Sequence, residues 1–192
     1  MNMTSQLPGT WQEPHRDLPF PPREAQRLWT NQAILKLESV ASTYGGYITY
    51  GDLRDHLFET TNVRTANLLP RWIRVTLINV LDYCIERNLP AITALVVQKG
   101  SGMVGPGFNA WLQRQNKGRI DDEYELEAAA AKERLASYRL YCPEVPDDAV
   151  PMPTPRLAQR VNAGTVEWRW SPPPCSSCGR PLMFYERCPV CN

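Results

Sequence analysis

Three things are scarce in this sequence of 192 residues, and each scarcity narrows what the chain can be. No long uninterrupted apolar run occurs, so no segment reads as a bilayer-spanning helix. The first residues also lack the charged-then-apolar order of a secretory signal, and together these absences predict a cytoplasmic protein with no membrane partner. Excess charge is missing as well. Lys+Arg 21 against Asp+Glu 20 leaves a formal +1, so any nucleic-acid surface has to be local. Histidine occurs only as His15 and His56, far apart in the chain, and solvated surface positions account for both more simply than a metal or acid–base role.

What is present is the composition of a soluble protein, 43% hydrophobic and 21% charged, in a length suited to one main domain plus an appendage. Proline is abundant at 18, and much of it lies within residues 7–22 and 143–174, which read as extended arms or linkers. The expected organisation is a Pro-rich arm over 1–22, a body over 23–142, a linker over 143–164 and a terminal module over 165–192.

Within the body, Leu28, Ile34, Leu35, Leu37 and Val40 predict a helix over 23–44, ended by Gly45-Gly46. The β-prone run 47–50 leads into a short helix over 53–58, with Thr49 or Asp52 as its cap. A longer helix over 69–87 carries Ile73, Leu77, Val80, Leu81, Cys84 and Ile85 at helical intervals, with Pro70 in its first turn. Residues 91–98 read as a buried strand, followed by glycine turns at 100–102 and 105–107 and a helical turn over 108–112. The clearest helix spans 121–141, acidic at its start and basic later, an order that complements the helix dipole. A short strand is expected over 166–170.

The end of the chain carries two C-x-x-C turns, Cys175/Cys178 and Cys188/Cys191, nine residues apart. Zn²⁺ favours four tetrahedral thiolates, and a C-x-x-C turn places two of them together. These four cysteines are therefore the candidate ligands of a structural Zn²⁺, and the spacing resembles zinc ribbons and rubredoxin-type knuckles. Free or disulfide-linked cysteines are the alternative. Four protein ligands leave no open position for catalysis, and so small a segment would fold largely through its metal. Cys84 and Cys142 stand outside this set, Cys84 being most simply a small core residue.

The order short helix, loop, long helix, strand and turn is that of a helix-turn-helix with a wing. The segment Tyr-Ile-Thr-Tyr-Gly-Asp-Leu at 47–53, with Asn-Leu-Pro at 88–90 and the following strand, resembles the winged-helix core of alkylguanine alkyltransferases and alkyltransferase-like proteins. The stretch 89–99 with Gly-Met-Val-Gly-Pro-Gly-Phe at 102–108 also resembles an uncharacterised bacterial module associated with mobile elements and phage defence. The alkyltransferases carry their acceptor cysteine in a Pro-Cys-His-Arg run. Here the corresponding stretch is Ala94-Leu95-Val96-Val97, and alkyl transfer requires a thiolate.

The resemblance thus implies a fold and DNA contact rather than an enzyme. It places Tyr50 on the family's phosphate-rotating tyrosine and Arg71 on its duplex-propping arginine. Arg54, Arg64 and Arg74 are further nucleic-acid candidates near the start of the long helix, and Lys99 and Ser101 belong to the implied wing.

Other constellations carry less. Asp121-Asp122-Glu123 is better read as the charged opening of a helix than as a paired-carboxylate site, and Gly100–Gly107 lacks the pattern of a phosphate loop. Trp29, Trp72, Trp111, Trp168 and Trp170 are mostly core or interface anchors, although Trp168 and Trp170 could stack on bases. The expected fold class is α/β in the broad sense (α+β): a winged-helix-like core with flanking helices and a small C-terminal zinc ribbon. The expected function is non-enzymatic binding of nucleic acid, DNA favoured over RNA, by a subunit of a larger bacterial defence or CRISPR-type effector complex. The alternatives are a protein–protein adaptor and a transcriptional regulator. No small-molecule substrate is evident.

Overall fold

A computed structural model describes residues 9–164, together with 177, 178 and 191. The chain mixes helices with small sheets in an α+β arrangement. In α1 (Pro22–Ala41), Ala25, Trp29, Ala33, Leu37 and Ala41 recur every fourth residue and are all buried, which makes this helix the spine of the core. In α2 (Tyr50–Thr61), the Thr49 side chain caps the first turn by accepting the Asp52 amide at 3.2 Å, and Leu53 and Leu57 face inward. The third long element, α3 (Leu69–Glu86), opens on Leu69-Pro70 and buries Trp72, Ile73, Thr76, Val80, Leu81 and Cys84. Trp72 locks these helices together: its ring lies 4.5 Å from that of Trp29 and is stacked at 5.3 Å on Phe58.

Two small sheets flank the helices. In one, β1 (Thr10–Gln12) pairs antiparallel with both β2 (His15–Pro19) and β4 (Val63–Thr65), Trp11 standing opposite Arg64. Much of the segment expected to be an extended arm is thus a hairpin. The reason is local: Trp11 is buried, and its indole N–H donates to Glu13 at 3.2 Å. In the other sheet, β3 (Ile48–Thr49) runs parallel to β5 (Val96–Val97).

The expected strand over 91–98 is strand only at β5. Residues Ile92–Leu95 form a 3₁₀ turn. Every residue from Ala91 to Val97 is buried, so the run is apolar on all sides and its period discriminates poorly between conformations. Side chains of α5 (Glu123–Tyr141) decide the matter by taking backbone groups that a sheet ladder would otherwise pair. The Glu133 carboxylate accepts the Ala91 amide at 3.0 Å, and Arg134 donates to the Ala94 carbonyl at 3.1 Å.

A short helix α4 (Asn109–Arg114) follows a 3₁₀ turn at Pro106–Phe108. Within the stretch read as linker, α6 (Pro155–Asn162) docks through Leu157, fully buried against Met103. Thr154 caps α6 and donates to the Gly102 carbonyl at 2.6 Å. Gly102 has φ +75°, and a Cβ there would stand 2.7 Å from the Thr154 hydroxyl and 2.9 Å from the Leu157 amide. The docking therefore needs glycine at that position. The strand expected over 166–170 and most of the terminal cysteine module lie outside the described residues.

At the centre of α5 are two fully buried charges, Glu127 and Arg134, two turns apart on one face. They pair with each other, and the second oxygen of Glu127 accepts the Val104 amide at 2.7 Å. Replacing Arg134 by Met would strand a carboxylate in the core, a loss of about 3–5 kcal/mol in urea unfolding. The Glu127→Leu/Arg134→Leu double variant should stay destabilised, because the Val104 amide and Ala94 carbonyl lose their partners. A double variant as stable as wild type would show that the pair does not hold the loop.

Candidate functional site: a cavity beneath a basic helix start

One face of α3, Tyr50 at the head of α2, the segment 93–98 and the loop 104–108 line a partly open cavity of about 430 Å³. One wall is the α3 face bearing Leu69, Ile73, Leu77 and Leu81; Val96, Val104 and Phe108 form the other. The geometry follows from the clamp just described, since Glu127 fixes Val104 and Arg134 fixes Ala94 beside Thr93. Gly105 completes the wall. A Cβ there would lie 2.8 Å from the Tyr50 hydroxyl, so glycine lets the loop close onto the tyrosine.

Few polar groups line this cavity. Burial pushes the Tyr50 hydroxyl above its ordinary pKa, partly offset by the Gly105 backbone, and holds it as a neutral phenol. Gln98 contributes an uncharged group. The Thr93 hydroxyl is buried and has no hydrogen-bond partner among the described residues, a condition that few native polar groups tolerate. Arg74 is the single cation in the lining, and no carboxylate is among these residues.

The predicted nucleic-acid residues fall into three groups. Arg71 and Arg74 are exposed one turn apart on α3, and among the described residues neither forms an ion pair. The α3 start carries no acidic residue and no side-chain cap, which leaves its dipole uncompensated; Pro70 has no amide N–H, and the Arg71 amide donates to the Leu68 carbonyl at 3.0 Å. Tyr50 and Lys99 are brought to the same region, Tyr50 as cavity wall and Lys99 beside the lining residue Gln98, exposed on the glycine turn.

The remaining candidates are engaged elsewhere. Arg54 grips the Asp55 carboxylate through two hydrogen bonds of 2.8 and 3.0 Å. Arg64 lies 3.4 Å from Glu13 across the sheet and 5.8 Å above the Phe58 ring; its Nε is an ion-pair contact without hydrogen-bond geometry. The Ser101 hydroxyl serves its own turn, donating to Gln98 at 3.3 Å and accepting the Met103 amide at 3.2 Å.

No cysteine is among the described residues that line this cavity. The thiol on α3, Cys84, is fully buried, and burial pushes its pKa up to about 11, so it remains a thiol at neutral pH. Of the four proposed zinc ligands, Cys178 and Cys191 are described as exposed residues, and Cys175 and Cys188 fall outside the described residues. Sequence reasoning missed Thr93, Gly105, Glu127 and Arg134. The last two had a readable signal: opposite charges seven residues apart within the Leu126, Ala130, Ala131, Leu135 face of a helix. Compared with protein-family models, with curated proteins and with solved structures, the chain matches none of them.

Thr93→Val keeps the side-chain shape and removes the unpaired hydroxyl. It should stabilise the ligand-free protein by about 1 kcal/mol, visible as a raised Tm. A lowered Tm would mean that the hydroxyl has a partner in solution.

Proposed function

We propose that this chain is a non-enzymatic nucleic-acid-binding protein that meets duplex DNA with the start of α3 and the glycine turn after β5. In this reading α2, α3, β5 and that turn form a winged-helix-like unit. The observation that carries it is the pair Arg71/Arg74, two exposed cations without carboxylate partners among the described residues on a helix start that has neither cap nor acid. Such a start favours phosphate through its uncompensated dipole and through the added guanidinium groups. Lys99 adds a third cation, on a turn braced from behind by Thr154. A net charge of +1 supplies little nonspecific affinity, which favours work within a larger assembly.

In a gel-shift series with salt titration, wild type should bind duplex DNA, and Arg71→Ala/Arg74→Ala should bind more weakly with a log–log salt slope smaller by about 2. Equal affinity and equal slope for the two proteins would end the DNA reading of this helix.

A second reading, docking to a partner protein, is favoured by the exposed apolar residues Leu68 and Val75 on the same stretch, 66% and 44% accessible. It predicts that Leu68→Ser disrupts assembly while the arginine variants do not.

The reading also includes a structural Zn²⁺ held by Cys175, Cys178, Cys188 and Cys191, supported by the paired spacing of the thiols. Protein purified without chelator should contain about one zinc per chain, and Cys175→Ser/Cys178→Ser should lose it. Clearly less than one zinc in the wild type would overturn this part.

A further inference from the structure

The cavity beneath α3 is more apolar than a phosphate contact requires. Its volume of about 430 Å³ lies within the range of small-molecule sites. Leu69, Ile73, Leu77, Leu81, Val96 and Val104 supply walls suited to an alkyl chain. Among the described residues, Arg74 is the one ionised group in the lining, and it makes no ion pair with the others. The Thr93 hydroxyl is shielded within the wall and offers the cavity no polar group, which leaves Arg74 as the anchor for a charged end.

We propose that this cavity is a binding site for a small amphipathic carboxylate, with its alkyl body between α3 and the Val96–Val104 wall and its carboxylate on Arg74. Arg74, with no carboxylate among the described lining residues, favours anions over cations at this site. A planar guanidinium matches a carboxylate through two parallel N–H···O bonds, whereas a phosphate monoester of higher charge would find one cation only. The walls are preformed because the buried Glu127–Arg134 pair holds Val104 and Ala94, so little ordering cost opposes binding. Binding is read without nucleic acid, so the proposal stands apart from the duplex reading.

Calorimetric titration of the full chain with sodium octanoate, and with octan-1-ol as the uncharged counterpart, tests it. Wild type should show one saturable site for octanoate, at least about tenfold tighter than for the alcohol, since a hydrogen bond to a charged group adds about that much. Arg74→Ala should erase the tenfold preference and leave the affinity for octan-1-ol unchanged. Leu77→Trp should fill the cavity and abolish binding of both compounds. Octanoate binding no tighter than the alcohol in wild type, or undiminished in Arg74→Ala, would overturn the proposal. Arg74 is exposed, so that second comparison holds even where Leu77→Trp fails to fold.

Discussion

The arrangement depends on one buried ion pair. Glu127 and Arg134 sit on α5, yet their main work is done on another segment, where they hold the Val104 amide and the Ala94 carbonyl. Two desolvated charges are costly to bury, and their mutual attraction repays that cost only when the remaining lone pairs and protons are satisfied. Here the satisfying groups are backbone atoms of a loop with little secondary structure of its own. The electrostatic requirement of the pair thereby becomes a positional requirement on the loop. Glu133, holding Ala91, extends the same clamp by one more backbone group.

From that clamp the site follows in steps. A fixed Ala94 places Thr93 and Val96 against α3, and a fixed Val104 places Gly105 against Tyr50. The cavity is the space these placements leave. Its opening includes Arg74, on the first turns of a helix that the Trp29–Phe58–Trp72 cluster anchors to α1 and α2. The glycine turn beyond β5 is pinned separately, by Thr154 and α6, so the Lys99 turn and the arginine helix are presented by two independent supports.

The helices were legible because their apolar residues recur at helical spacing and because Pro70 and Gly45-Gly46 mark ends. The start of α3 fell at the expected Leu69, and the end of α5 at the expected Tyr141. Segment 91–98 was not legible, since a run buried on every side has no face for a period to report. The hairpin of β1 and β2 was hidden by Pro-rich composition, and its order depends on Trp11 and on a pairing with β4 more than fifty residues away. The α6 helix was hidden by its shortness, with only Leu157 fully buried. Among the candidate residues, Arg71 and Arg74 came from the expected helix start read together with the winged-helix resemblance. The engagement of Arg64 with Glu13, and the orphaned Thr93 hydroxyl, are products of tertiary contact that no local pattern encodes.

The two roles assigned to the start of α3 constrain each other through Arg74. A single guanidinium that forms two parallel bonds to a ligand carboxylate has little left for a phosphate oxygen, and the added negative charge lies beside Arg71 as well. If both proposals hold, a carboxylate in the cavity lowers the positive potential of the DNA-facing turn without moving any backbone. Linkage then makes the effect reciprocal: DNA on α3 weakens the carboxylate by the same factor as the carboxylate weakens DNA. Lys99, on its separately braced turn, would keep its charge in both states, so duplex affinity would be reduced rather than abolished. The cavity and the helix start would then act as one site with two competing anions.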